Sequence, residues 1–314
     1  MIITDDEGSL TTMTKDRITV AVLGPGGVGG LLAALLVRAG NRVICLAGDE
    51  TARALDAEGI LVRSPRFGEF TARVETAAEL REPVDACLVA VKHTSLGAAL
   101  DRLPAHALGN DTLVVPFLNG VEHPAALRAR YGTTPVAPAA IRVESTRVVP
   151  GVIEHTSPFV EVDLTGAPEV VPRKLLNSLA GALEWAGVTT RVLDDETATL
   201  WAKMSFLAPF ALLTTRYGLP LGEIRARHRE ELVALVEETT RVSGAVGAPM
   251  DPAGTLARYD AFAPTTKSSM QRDAEAGRPL ELDAIGGALL RAAERHGVPV
   301  PVAERVVGEL REKY

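Results

Sequence analysis

Cysteine is almost missing from this chain. There are two in 314 residues, Cys45 and Cys87, and each sits in a short apolar run, VICL and ACLVAV. That excludes a disulfide framework. No Cys/His cluster has ligand spacing and the histidines are scattered, so no metal site is expected. The setting this implies is a reducing cytoplasm, with both thiols acting as small buried hydrophobes. Long apolar runs are also lacking: each falls short of a bilayer span or is broken by polar residues. No basic block or basic amphipathic stripe occurs and the net charge is −7, so neither nucleic acid nor an anionic membrane is an expected partner. Residues 1–16 lack the basic-then-apolar order of a secretory signal and read as a disordered lead-in. Internal repeats and low-complexity segments are absent.

What is present is a chain 46% hydrophobic, enough for two domains. RITVAVLG (17–24), NRVICLAG (41–48), VDACLVAVK (84–92) and TLVVPFLNG (112–120) read as buried strands. Between the first two lies a helical segment, 28–40, ending at Gly40, and after the second comes a polar helix, 49–59. This rhythm predicts a parallel sheet covered on both faces. After about residue 130 shorter strands follow, expected to extend that sheet in mixed or antiparallel fashion. From about Asp194 the pattern is helical, with helices over 200–215, 229–247, from near Thr265, and over 284–297. The apolar helices of this second half leave a homodimer interface open.

GPGGVGG follows the first strand and opens the first helix. Gly24, Gly26 and Gly29 satisfy G-x-G-x-x-G, and with Gly27 and Val28 they form a candidate phosphate loop. Glycines permit a tight turn and close backbone approach, and the helix N-terminus presents free N–H groups. The fold class expected is therefore α/β: a Rossmann-type dinucleotide-binding domain over 17–193, then an all-helical substrate and catalytic domain over 194–314. A cleft between them, closing on a hinge near 190–195, is the expected active site. Asp49 stands where an acid would bind a ribose diol and favour NAD(H). It also suits a helix N-cap. Arg53, one turn on, would instead hold a 2′-phosphate.

One charge interrupts the apolar run LWAKMSFLAPFALLTT, Lys203. Burying an unpaired ammonium is costly, so it either snorkels to water or serves chemistry in a cleft. Further on, PTTKSSMQRDAEAGRPLELDAIGG places a serine pair, an aspartate and E-x-D before a helix.

Together GPGGVGG, the VK ending at Lys92, the NG at Asn119, L-W-x-K ending at Lys203, SSM at 268–270 and E-L-D at 281–283 resemble the ketopantoate reductase family (2-dehydropantoate 2-reductases), over nearly the whole chain. The resemblance implies an NAD(P)H-dependent oxidoreductase that reduces a 2-oxo acid, by default ketopantoate to pantoate for coenzyme A synthesis. It implies Lys203 as the general acid and Glu281 as its acidic partner, which also contacts substrate. It implies Ser269 on the substrate carboxylate, and Asn119 and Lys92 beside substrate and nicotinamide. Without it, Ser269 reads as a cap or turn hydroxyl and Glu281 as a first-turn acid. The chain also departs from the pattern. Two substrate-binding asparagines of the family fall at Leu207 and Ala211, so the helix face beside Lys203 is apolar. The family's usual arginine after the second strand is replaced by Gly48, with Asp49 next. NADP(H) is the cofactor implied, with NAD(H) admitted by Gly48-Asp49. A paralogue reducing a more apolar 2-oxo acid and a non-catalytic dinucleotide sensor are the competing functions.

Overall fold

The computed structural model describes residues 2–4, 10–12, 17–167 and 169–314. Its centre is a five-stranded parallel sheet in the order Glu75–Ala77, Arg42–Leu46, Thr19–Leu23, Ala86–Val89, Leu113–Pro116. Alternation along the central strand explains why both faces are covered. Val20 and Val22 point to one apolar cluster, shared with Leu31, Leu32, Leu35 and Leu36 of the helix Gly27–Arg38. Ala21 and Leu23 point to another, shared with Leu96, Leu100, Leu127 and Tyr131.

The later strands do not extend this sheet as expected. They build two further sheets, linked to the first among the described residues by the single bridge Val114–Val136. Helix Gly27–Arg38 supplies the reason. It is buried at every position from Gly29 to Leu36, so one sheet cannot cover it. A second sheet, ordered Ser145–Val149, Val152–His155, Ile60–Ser64, Gly68–Ala72, adds Ile60, Val62, Ala72 and Ile153 to the same cluster. The third sheet holds Ala139–Arg142, Glu161–Thr165 and Thr189–Leu193, with helix Arg173–Trp185 crossing between the last two. Within the segment read as a disordered lead-in, Ile2–Thr4 pairs antiparallel with Leu10–Thr12. The rest of that expectation lies outside the described residues.

The second half is helical throughout. Its axis is the helix Glu196–Tyr217, which carries Lys203. Asp195 caps it by accepting the Ala198 N–H at 2.8 Å, and Gly218 ends it in the left-handed region, φ 66°. Pro209 lies inside it. Around it pack Leu221–Arg227, Arg229–Ala245, Pro252–Ala261, Ser269–Glu275, Ala288–His296 and Pro301–Lys313. Leu221–Arg227, Pro252–Ala261 and Pro301–Lys313 were not anticipated. Two of these open on proline, a residue that reads as a breaker yet suits the first helical turn. No described helix is long and apolar enough to cross a membrane.

The last helix is fixed by a carboxylate from another element. Glu238, 2% exposed, accepts the N–H groups of Val302 and Ala303 at 2.9 and 2.8 Å. These are among the donors a helix start leaves unpaired, and the negative charge suits the positive end of the helix. Glu238→Ala is expected to lower stability by roughly 1–3 kcal/mol, because buried donors lose their acceptor. Glu238→Gln should lose less. Urea midpoints of the three proteins provide the check.

Candidate active site

The glycine loop sits where the central strand meets its helix. Gly24 has φ 87°, and a Cβ there would lie 2.5 Å from Val91 Cγ1. A Cβ on Gly29 would lie 2.3 Å from the Gly24 carbonyl oxygen, whereas one on Gly26 would meet nothing within 4 Å. One glycine makes the turn, one permits the strand–helix approach, and one leaves the cleft side open. No side chain caps the helix at Gly26. Open space over uncapped backbone N–H groups fits the pyrophosphate of a dinucleotide. Gly27 is held from the second sheet: Ser145 Oγ donates to its carbonyl at 2.7 Å.

This loop forms one wall of a cleft of about 1890 Å³ between the two halves of the chain. Gly24, Gly26, Gly27, Val28, Lys92, Asn119, Lys203, Leu207, Ser269 and Glu281, all singled out from the sequence, line it. The other wall comes from helix Glu196–Tyr217 and from the segment entering the π-helical turn Asp283–Gly287. Such turns are rare and frequent near sites.

Glu281 is not a first-turn acid. It is buried and reaches across to the first domain, where Oε1 accepts the His93 N–H and Oε2 the Asn119 side-chain amide, both at 2.9 Å. Lys92 is engaged as well. Its ammonium donates to both carboxylate oxygens of buried Asp273, at 2.5 and 2.6 Å, and Arg278 Nε donates to Oδ1 at 2.9 Å. Ser269 is not the helix cap either. Ser268 caps, its Oγ accepting the Gln271 N–H at 3.0 Å and sharing a 2.8 Å bond with Thr214 Oγ1. That leaves Ser269 exposed at the cleft.

Lys203 is partly exposed, and it lines the cleft. Its ammonium has no hydrogen-bond partner among the described residues. Burial lowers its pKa to about 8; the nearby Glu281 charge raises it, and Arg142 lowers it further. Arg142 belongs to a network in which it binds Glu161 and Asp163, while Arg191 also binds Asp163.

Four expected site residues stand off the cleft wall. Gly29 is buried in the helix, where it allows the close strand–helix approach. Ala211 is 1% exposed in the helical core. Asp49 is exposed in the first turn of Asp49–Glu58, whose cap is Gly48. Arg53 is folded back, Nε donating to the Asp49 carbonyl at 3.2 Å. Other residues were missed. Phe206, Phe210 and Phe262 line the cleft beside Leu207; the apolar run holding the first two had read as core, and Phe262 lies in no motif. Arg102 and Arg147 line it too, from a turn and an edge strand with no motif. His123, 1% exposed, has both ring nitrogens without partners. Its pKa falls to about 3 through burial and the charges of Lys203, His93 and Arg128, so it is neutral near pH 7.

Residues 20–164 match the family model described as ketopantoate reductase PanE/ApbA, and residues 195–314 match its C-terminal companion. The chain belongs to the ketopantoate reductase family. A 2-dehydropantoate 2-reductase of Caulobacter vibrioides is 30% identical, covering 93% of this chain and 98% of that one. The crystal structure of 2-dehydropantoate 2-reductase from Geobacter metallireducens superposes with a TM-score of 0.86 at 27% identity, covering 94% of this chain and all of that one. A D-mandelate dehydrogenase determined with NADH and anilino(oxo)acetate shares the fold, with a TM-score of 0.85 at 19% identity over 94% of this chain and 98% of that one. The protein is thus an NAD(P)-dependent oxidoreductase acting on a ketone, with a nicotinamide dinucleotide as cofactor.

Because the Glu281 charge raises the pKa of Lys203 against burial, removing it should move the lysine further down. In lysine-labelled protein followed by carbon NMR, the Lys203 side chain is expected to titrate near pH 8. In Glu281→Gln its midpoint should lie lower. An unchanged midpoint would show that the two groups do not interact.

Proposed function

We propose that this protein reduces a 2-oxo acid to the 2-hydroxy acid, with Lys203 donating the proton. The observation that carries this reading is the Lys203 ammonium, unpaired among the described residues in the cleft that also holds the glycine loop, with burial lowering its pKa to about 8. A nicotinamide dinucleotide held on the loop of Gly24, Gly26 and Gly27 would supply hydride to the carbonyl carbon. As the carbonyl π bond opens, charge grows on oxygen, and a preorganised ammonium there stabilises the charge and transfers a proton. A C–H and an O–H bond form, leaving neutral lysine to take a proton from solvent. Glu281, held by His93 and Asn119, keeps a negative charge near Lys203 and so favours its protonated form before reaction. Ser269 binds the substrate carboxylate, and Lys92, fixed by Asp273, faces the cofactor.

Ketopantoate is the default substrate. A more apolar 2-oxo acid is the second reading, and a specific observation favours it: Leu207 stands on the cleft wall with Phe206, Phe210 and Phe262. An apolar wall cannot return the hydrogen bonds that a hydroxylated substrate gives up on leaving water, a loss of about 1–3 kcal/mol per group. It suits a branched or aromatic side chain. A non-catalytic dinucleotide sensor would have no use for the Lys203–Glu281 pair.

Steady-state cofactor oxidation with ketopantoate and with branched and aromatic 2-oxo acids tests both readings. Lys203→Ala should lower kcat by about 10²-fold or more and leave dinucleotide binding intact. Reduction should fall as pH rises through about 8, because the protonated lysine is required, and oxidation of the hydroxy acid should rise over the same range. Tight dinucleotide binding with no turnover of any oxo acid would overturn the reading in favour of the sensor.

A further inference from the structure

The carboxyl end of the second strand normally sets which nucleotide a dinucleotide fold accepts. Here that position carries no side chain, since Gly48 follows the strand Arg42–Leu46. The neighbouring candidates, Asp49 and Arg53, stand off the cleft wall. Another guanidinium fills the place. Arg102 Nη2 lies 3.8 Å from where a Cβ on Gly48 would be, and Gly48, Thr51, Arg102 and Arg147 line the cleft together. Arg102 comes from the turn after helix Leu96–Leu100. Its Nη1 donates to the Ala78 carbonyl at 2.8 Å, which anchors one side of the group. It has no carboxylate partner among the described residues. Arg147 approaches the same corner, its Nη1 lying 3.4 Å from Thr51 Oγ1.

We infer that Arg102, assisted by Arg147, binds the 2′-phosphate of an NADP-type dinucleotide and sets the nucleotide preference of this chain. The inference rests on the glycine loop being a dinucleotide site. The carboxylates of the cleft have other partners: Glu161 and Asp163 hold Arg142 and Arg191, Asp273 holds Lys92 and Arg278, Glu281 meets His93 and Asn119, and Glu144 meets Thr156. Among the residues that line the cleft, a ribose diol would therefore find no free carboxylate to accept its hydroxyls; Asp49, next to Gly48, is exposed but stands off that wall. A phosphate would find one anchored guanidinium and a second nearby. Asp49, the residue that had favoured NAD(H), acts as a first-turn acid at the helix start.

Calorimetric titration of the intact protein with NADP⁺, NAD⁺, adenosine 2′,5′-bisphosphate and AMP, without oxo acid, tests this. The 2′-phosphorylated member of each pair should bind at least about tenfold more tightly, as a charged hydrogen-bonded contact implies. Arg102→Ala should abolish most of that preference while leaving NAD⁺ affinity within about twofold. Gly48→Asp offers a second variant. Gly48 has φ −73° and ψ 161°, open to any residue, and space on its side-chain face, so the new carboxylate should pair with Arg102 and weaken NADP⁺ alone. Stronger binding of NAD⁺ by the wild type, or equal weakening of both nucleotides by Arg102→Ala, would overturn the inference. Failure to reduce any oxo acid would leave it standing, whereas failure to bind either nucleotide would overturn it together with the dinucleotide site.

Discussion

The site depends on one carboxylate spanning two domains. Glu281 leaves the helical half and uses both its oxygens on the nucleotide-binding half, one on the backbone at His93 and one on the Asn119 amide. Separately, either contact would be an ordinary hydrogen bond. Together they fix where the negative charge sits, and that charge opposes the burial that would otherwise drive Lys203 further toward its neutral form. The ion pair Lys92–Asp273 makes a second tie across the same divide. Asp273 is almost fully buried, so its worth lies in complete pairing with Lys92 and Arg278; one partner alone would leave a poorly compensated charge.

Much of this was legible in the sequence, because it is local. A glycine loop between an apolar strand and an apolar helix, or a lysine within an apolar run, is written in contiguous residues. The parallel sheet followed from strands apolar on both faces, and the helical half from its periodicity. The later sheets were not legible. Their placement follows from helix Gly27–Arg38 being buried all round, and nothing in the strands says which surface they must cover. Helices opening on Pro252 and Pro301 escaped because proline at a helix start and proline as a breaker look alike until the fold is known.

The same division runs through the site. Ser269 and Glu281 were found through the motif, but their surroundings were not foreseen: Ser268 takes the capping role, and Glu281 reaches beyond its own helix. Ala211 lies eight residues beyond Lys203, yet it faces the core, because 3.6 residues per turn carries a position eight along about 80° away from its starting direction. Leu207, one turn along, stays on the wall. Arg102 and Arg147 come from parts of the chain with no chemical pattern, and only the folded structure brings them to one corner.

The two thiols have a practical consequence. Cys45 and Cys87 lie on the strands flanking the central one, fully enclosed, and burial pushes both up to about 12. Thiolate is the form that reacts with alkylating reagents, and at that acidity only about one thiol in 10⁵ is ionised at neutral pH. To a maleimide the folded protein is effectively thiol-free without any engineering. Cysteines introduced at exposed positions on the two sides of the cleft, such as Val148 and Thr265, would take a fluorophore pair alone. The distance between the labels would then report whether the two halves of the chain move as each ligand enters.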